Sequence, residues 1–165
     1  MAENDVMPIS TSGWRLVTDG VMGGVSQGRL VPAHIEGRDC LRLSGTVRTE
    51  NNGGFVQMAL DLDGDTSERV SGFDGIRLSV YGNGEDYNLH LRTSDLWLPW
   101  QSYRKTFRST PSWNLVELPF ADFEPHRTDT GLRVDRLQRI GIVAIGRPFA
   151  ADLCVTAMSF YRQSQ

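Results

Sequence analysis

The stretch FDGIRLSVYGNGEDYNLHLRTS, residues 73–94, decides the fold that the sequence predicts. Apolar and polar side chains alternate in two runs, Gly75–Tyr81 and Tyr87–Thr93, and a turn-forming GNGED segment separates them. Alternation with a period of two is typical of a β-strand with one buried face. In the second run, Leu89 and Leu91 share the face that we expect to be buried. The polar side chains between them are then expected to point away from the core.

Similar short runs recur along the chain, between segments rich in Gly, Pro, Asp, Ser and Thr. The predicted strands are Trp14–Val17, Arg29–Ala33, Leu41–Arg48, Gly54–Leu62, Gly75–Tyr81, Tyr87–Thr93, Ser102–Phe107, Leu115–Pro119, Arg139–Ile145 and Asp152–Tyr161. The run 139–145 is apolar on both faces, which predicts a central strand. Helical patterns are limited to short segments after Pro119 and around Asp135. Many short strands with regular turns predict an all-β fold, a β-sandwich or jelly roll.

Length, composition and charge are those of an ordinary globular protein. The chain has 165 residues, of which 39% are hydrophobic and 22% are charged, and this predicts a single domain over residues 1–165. The net charge of -3 gives no attraction to nucleic acid or to an anionic membrane, so we expect neither as a partner. No apolar run approaches the ~20 residues that a membrane-spanning helix needs.

The N-terminal segment MAENDVMPIS is acidic and polar, and it lacks the basic and apolar regions of a secretory signal. We therefore expect a cytoplasmic protein of a bacterial or similar cell. The two cysteines, Cys40 and Cys154, lie in apolar runs, and without a secretion signal two buried, reduced thiols are the favoured interpretation. A disulfide between them stays open, because the first and last strands of a sandwich can be neighbours.

The segment DGVMGGVS, residues 19–26, is a glycine-rich loop between two predicted strands. It has no Gly-Lys-Ser/Thr ending, and a strand pattern rather than a helix follows it, so it does not fit nucleotide binding. We expect a tight connection in which Gly23, Gly24 and Gly28 supply turn conformations and Asp19 caps a turn. A structural Ca²⁺ ligated by Asp19 stays open, although no metal site is predicted.

Two further patterns are weighed against known functional motifs. The acidic segment DLDGDTSER, residues 61–69, lacks the later Glu and the flanking helices of an EF-hand, so a solvated hairpin loop is expected. The chain contains no HExxH, GxSxG or metal-type CxxC pair, and its three histidines, His34, His90 and His126, form no catalytic set that the sequence can identify. We therefore predict no enzymatic activity and no cofactor.

One strand face and an aromatic segment next to it form the candidate binding surface. The alternation places Gln57, Tyr81, Asn88, His90 and Arg92 outward, on one face if their strands are neighbours. The segment TSDLWLPWQSYRKTFRS, residues 93–109, brings aromatic residues beside basic ones, which is typical of a binding surface and also of an edge that covers a core. The candidate partner- or ligand-binding residues are Tyr81, Asn88, His90, Arg92, Trp97, Trp100, Tyr103 and Arg104. Trp113 is expected to lie in the core.

Four segments carry a resemblance to a known family: WRLVTDGVMGGVSQGRL (14–30), FDGIRLSVYGNGEDYNLHLRTS (73–94), SYRKTFRSTPSWNLVELPFADFEPHR (102–127) and IGIVAIGRPFAADLCVTAMSFY (140–161). In this order they resemble the complex I intermediate-associated protein 30 family, from about residue 14 to residue 161. The resemblance implies a galactose-binding-like jelly-roll β-sandwich, the fold of many carbohydrate-binding modules. It also implies a family-signature loop whose residues are Asp19, Met22, Gly23, Gly24 and Ser26.

The resemblance carries a functional expectation as well. The mitochondrial members of this family are assembly chaperones for respiratory complex I and have no known catalytic residues. The implied function is a non-enzymatic binding or assembly protein that docks a partner protein through the strand face and the aromatic segment. The alternative is a carbohydrate or small-ligand binding module on the same face, with an aromatic ring stacked on a sugar and polar groups bonded to its hydroxyls.

Overall fold

The structure is a computed structural model that describes residues 6–50 and 54–163, without the side chains of residues 21 and 22. The strands are β1 (Val6–Pro8), β2 (Arg15–Thr18), β3 (Gln27–Ile35), β4 (Arg38–Val47), β5 (Phe55–Asp61), β6 (Gly75–Tyr81), β7 (Asp86–Thr93), β8 (Ser102–Arg108), β9 (Asn114–Pro119), β10 (Glu124–His126), β11 (Leu137–Ile145) and β12 (Phe149–Tyr161). The helices are α1 (Gly64–Val70) and three 3₁₀ turns, Asp19–Met22, Phe120–Asp122 and Val134–Arg136. Within the described residues, no helix has the length and apolarity needed to cross a membrane.

The described strands form two six-stranded antiparallel sheets. The first sheet has the order β3-β4-β12-β6-β9, with β1 also paired to β12. The second sheet has the order β10-β8-β7-β11-β5-β2. The apolar residues of their facing sides form one contiguous core. The prediction of an all-β sandwich is therefore confirmed.

Alternation along the strands correctly predicts which side chains enter this core. Leu89 and Leu91 of β7 are buried, and so are Ile140 and Ile142 of β11. β11 lies between β7 and β5, as expected of a central strand. Its outward-facing Val143 is also buried, at 1% exposure, which explains why the run is apolar on both faces.

Three elements are missing from the sequence prediction. β1 and β10 have three residues each, lie at sheet edges and contain Pro8 and Pro125, which weaken a strand pattern. α1 replaces the expected solvated hairpin loop, because β5 and β6 belong to different sheets. Asp63 caps α1 by accepting a hydrogen bond from the backbone N–H of Thr66 at 2.8 Å, and Val70 anchors the helix in the core.

A disulfide joins Cys40 of β4 to Cys154 of β12 across the first sheet, with Cα atoms 5.6 Å apart. β4 and β12 are hydrogen-bonded neighbours, and Leu41 lies opposite Val155 in their register. The favoured expectation of two reduced thiols is wrong for this structure. The alternative that the sequence analysis left open, a disulfide between neighbouring strands, is correct.

Candidate functional site

The outer face of the second sheet, which points away from the core, collects most of the predicted polar side chains. The register places Arg104 of β8 beside His90 of β7, and Thr106 beside Asn88. Gln57 of β5 lies in the same row as Asn88, separated from it by Val143. Neighbouring strands therefore carry Asn88, His90 and Arg104 on one surface. Their role in binding stays a prediction.

Tyr81 does not belong to this surface. It lies on β6 in the first sheet, where its ring packs edge-on against Trp113 at a centroid distance of 5.7 Å. Trp113 is half-buried rather than in the core: its indole N–H donates to the carbonyl of Ile35 at 2.9 Å, and the guanidinium of Arg38 lies over its ring. The expectation for Tyr81 is corrected because the GNGED segment connects two sheets rather than two paired strands. The expectation for Trp113 is corrected because its ring packs against Tyr81 and Arg38 rather than in the core.

The aromatic loop, residues 96–101, connects β7 to β8 and carries exposed apolar side chains. Trp97 is 91% exposed, Leu98 40% and Trp100 56%. Tyr103, which was expected to accompany them, is fully buried, and its hydroxyl donates to the carbonyl of Thr130 at 2.8 Å. Tyr103 is therefore a core residue, because it shares the inward face of β8 with Phe107. The two tryptophans are left as the exposed aromatic pair.

Two side chains hold the aromatic loop in place. Nη1 of Arg92 donates to the backbone carbonyls of Leu98 at 2.8 Å and of Gln101 at 2.6 Å. The side-chain oxygen of Gln101 accepts hydrogen bonds from the backbone N–H groups of Trp97 and Leu98 at 3.1 and 3.0 Å. Burial, and then the neighbouring Arg139, lower the pKa of Arg92. Arg92 is therefore a positioning residue for the loop, a role that its sequence pattern did not reveal.

We expect Arg92→Met to lower the free energy of unfolding by about 1–2 kcal/mol, because it removes the charged donor from the loop carbonyls. Amide hydrogen exchange in residues 97–101 is expected to accelerate, and this can be measured by mass spectrometry. Arg108→Met is the matched control, because Arg108 is largely exposed and pairs with Asp86 at 3.4 Å. Equal exchange in the two variants would contradict the positioning role.

A basic cluster, formed by Arg104, His126, Arg127 and His90, lies at the β10 edge of the outer face. Burial, followed by the charges of Arg104 and His126, lowers the pKa of His90 to about 3, so its ring is neutral. Its buried Nε2 has no hydrogen-bond partner in the described part of the chain. Burial, then Arg104 and Arg127, also lowers the pKa of His126. The register of β8 and β10 places His126 opposite Ser102, two residues from Arg104.

A cleft of about 350 Å³ opens beside the aromatic loop on the same outer face. Its lining residues are Asp61, Leu62, Arg92, Pro99, Gln138 and Arg139. Asp61 accepts hydrogen bonds from Arg15 at 2.7 Å and from Arg139 at 2.8 Å, so its charge is already compensated. The lining is mainly polar, and Pro99 of the aromatic loop contributes to it.

The signature loop lies at the other end of β5 and is organised by the buried side chain of Asp19. This carboxylate accepts hydrogen bonds from the backbone N–H and the hydroxyl of Ser26, and from the backbone N–H groups of Gly54 and Phe55. Thr18, not Asp19, caps the following 3₁₀ turn, which corrects the expected turn-capping role. The side chain of Met22 lies outside the described part of the chain.

The surroundings of Asp19 do not suit a cation. Four donors point at its carboxylate, whereas a Ca²⁺ site needs oxygen ligands that point at the ion. Gly24 packs so closely that a Cβ there would lie 2.4 Å from the carboxyl carbon of Asp19. In residues 6–50 and 54–163, no group of three or more His, Cys, Asp or Glu side chains is arranged to hold a metal ion.

Sheet order and connections define the class as an antiparallel β-sandwich, with a polar outer face flanked by exposed aromatic residues. The family model of Complex I intermediate-associated protein 30 (CIA30) matches residues 4–155, and the chain belongs to this family. The resemblance found in the sequence is thereby confirmed. No curated protein matches the chain.

Solved carbohydrate-binding modules share the fold. A family 11 module from Clostridium thermocellum, in complex with a β-1,3-1,4-mixed-linked tetrasaccharide, has a TM-score of 0.74 at 15% identity, and the match covers 96% of each chain. The family 30 module of a cellulosomal cellulase from the same organism has a TM-score of 0.65 at 12% identity, over 98% of each chain. At such low identity, these similarities establish the jelly-roll sandwich and nothing about the ligand.

Proposed function

We propose that this protein is a single-domain, non-catalytic binding protein that docks a protein partner through the aromatic loop and the adjoining outer face. The partner is an assembly intermediate of a respiratory complex, as the name of the family suggests. In this role the protein holds the intermediate by surface contacts and needs no cofactor.

The main support for this proposal is a pair of exposed tryptophans on a loop that hydrogen bonds hold in place. Trp97 and Trp100 leave most of their surface in water, and tryptophan is enriched among the residues that dominate protein–protein binding. Arg92 and Gln101 fix the loop before any partner arrives, which reduces the conformational entropy lost on binding. A loop that served only to cover the core would bury these rings.

We expect the double variant Trp97→Ala/Trp100→Ala to capture at least about thirty-fold less partner than the wild type, because each ring is placed as a binding hot spot. The melting temperature is expected to change little, since both rings are largely exposed. The measurement is affinity capture from gently solubilised membranes of the source cell, followed by mass spectrometry. The supporting result is respiratory-complex subunits that disappear with the double variant.

Leu115→Ala is the matched control, because Leu115 is 57% exposed and lies on β9 of the first sheet. It should capture as well as the wild type. Arg92 is unsuitable for this test, because its replacement would loosen the loop itself. A double variant that retains the same respiratory subunits would contradict the proposed surface.

A carbohydrate or small ligand is the second candidate, and the cleft beside the loop favours it. A polar cleft of about 350 Å³ next to exposed aromatic rings can bond sugar hydroxyls and stack a sugar ring. The known modules of this fold support the same idea. Titration of tryptophan fluorescence with neutral oligosaccharides, including a β-1,3-1,4-mixed-linked tetrasaccharide, separates the two candidates. Saturable fluorescence changes, together with no capture of respiratory-complex subunits, would replace the docking function by the carbohydrate-binding function.

The disulfide bears on where the protein works. The sequence expectation is the cytoplasm of a bacterial cell, where most protein thiols stay reduced. A disulfide between Cys40 and Cys154 instead favours an oxidising compartment. Alkylation of protein taken directly from source cells, followed by mass measurement, shows which of the two compartments applies.

A further inference from the structure

Within the described residues, the arginines of the basic cluster have no acidic partner. Arginines such as Arg77 and Arg139 form ion pairs across neighbouring strands. In the described part of the chain, Arg104 and Arg127 form none, although Glu124 lies opposite Arg104 in the register of β8 and β10. The nearby Asp129 does not pair with them either. The cluster is thus an uncompensated positive site.

Burial makes this arrangement costly. Arg104 is half-buried, its Nε donates to the hydroxyl of Ser102 at 2.8 Å, and burial followed by the charge of Arg127 lowers its pKa. Like charges placed together in a partly desolvated position disfavour one another. A bound anion would remove this repulsion, and a guanidinium group presents paired N–H donors that match the two oxygens of a carboxylate.

The backbone at Arg127 supports a site that is held in place. Arg127 has a φ of 62°, in the left-handed region that residues other than glycine rarely adopt. Its carbonyl accepts a hydrogen bond from the side-chain amide of Gln101 at 3.1 Å. Because the same Gln101 side chain also holds the backbone of Trp97 and Leu98, the basic cluster and the aromatic loop form one connected surface.

We infer that Arg104 and Arg127, beside His126, bind a carboxylate of the docked partner, an Asp or Glu side chain next to the apolar residues that contact the aromatic loop. This inference rests on the proposed docking function and specifies its partner chemistry. The occupant is an acidic segment of a protein because the basic cluster adjoins the tryptophan loop. Neutral sugars offer no charge that would compensate the two arginines.

The test uses a blocked tetraglutamate peptide as the probe, with inorganic phosphate in a parallel titration. We expect ¹H–¹⁵N chemical shift changes in residues 102–104 and 124–127, and binding that weakens as salt is added. Arg104→Gln/Arg127→Gln should weaken peptide binding about tenfold or more. Its melting temperature should change little, because the removal of repulsion between like charges offsets the lost hydrogen bond from Arg104 to Ser102. Arg104→Lys keeps the charge, and we expect intermediate affinity.

Arg29→Gln/Arg69→Gln is the matched control, because it makes the same change of charge at arginines outside the basic cluster, on β3 and α1. Equal weakening by the control pair, or no localised shifts in the wild type, would overturn the inference. Tighter binding of phosphate than of the peptide would also overturn the assignment to a carboxylate. If the tryptophan variant loses capture of respiratory subunits while the peptide does not bind, the docking function stands and this inference alone fails.

Discussion

Asp19→Ala is expected to lower the free energy of unfolding by about 3–5 kcal/mol, among the largest effects of any single substitution in this protein. The substitution leaves the backbone N–H groups of Ser26, Gly54 and Phe55 without their acceptor, whereas the Ser26 hydroxyl keeps the carbonyl of Arg48 at 3.0 Å. These donors belong to the segments before β3 and at the start of β5, so the connection between the two sheets loosens. Urea unfolding followed by tryptophan fluorescence measures the change.

Two further variants make the Asp19 prediction specific. Gly24→Ala should destabilise by a comparable amount, because its Cβ would overlap the carboxylate of Asp19. Asp39→Ala, at an exposed position on β4, removes the same charge and should cost less than about 0.5 kcal/mol. A loss below about 1 kcal/mol for Asp19→Ala would show that its hydrogen bonds do not organise the fold.

The pH dependence follows from the same contacts. Burial raises the pKa of Asp19, but the hydrogen bonds from Ser26, Gly54 and Phe55 together outweigh burial and hold the pKa below its ordinary value. A folded pKa below the unfolded value means that the stabilisation is complete above about pH 4 and is lost as the pH falls through the folded pKa. We therefore expect the free energy of unfolding of Asp19→Asn to fall less steeply than that of the wild type as the pH is lowered below about 4.

Asp19 of the signature loop and the candidate binding surface lie at opposite ends of β5. Asp19 contacts β5 at Phe55, whereas the cleft is lined by Asp61 at the other end of the same strand. Six residues of extended chain span roughly 20 Å. The signature loop thus stabilises the sandwich without reaching the candidate surface. Membership of the family therefore fixes the scaffold more firmly than it fixes the partner.

Local alternation predicted strands and faces well, because burial on one side repeats every second residue. β6 has the predicted bounds, and Ile76, Leu78 and Val80 are all buried as expected. Assignment of strands to sheets is a non-local property that alternation cannot give. The GNGED segment is typical of a hairpin, yet it connects β6 in one sheet to β7 in the other, and this is why Tyr81 was placed on the wrong surface.

The candidate site shows a second limit of sequence reasoning. Tyr103 alternates in step with Phe107, so its inward position was available from the pattern, but the nearby tryptophans suggested an exposed cluster. The roles of Arg92 and Gln101 were not available, because both bind backbone atoms of the loop. Every residue has a carbonyl and nearly every residue has an N–H, so such contacts leave no mark in the sequence.

Removal of the disulfide by Cys40→Ala/Cys154→Ala is expected to lower the free energy of unfolding by about 3–5 kcal/mol. The crosslink spans 114 residues of sequence, most of the chain, and it therefore restricts the unfolded ensemble strongly. It also fastens β4 to β12 within the first sheet. Urea unfolding of the variant against the oxidised wild type measures the effect.

The matched control is the wild type itself, unfolded and refolded in reductant so that both buried thiols are free. Its stability should equal that of the double variant to within about 1 kcal/mol, because Ala and a reduced Cys fill similar apolar positions. If the reduced and oxidised forms unfold at the same urea concentration, the crosslink does not contribute to stability. In that case the protein can work equally well in a reducing compartment, and the disulfide loses its value as evidence of location.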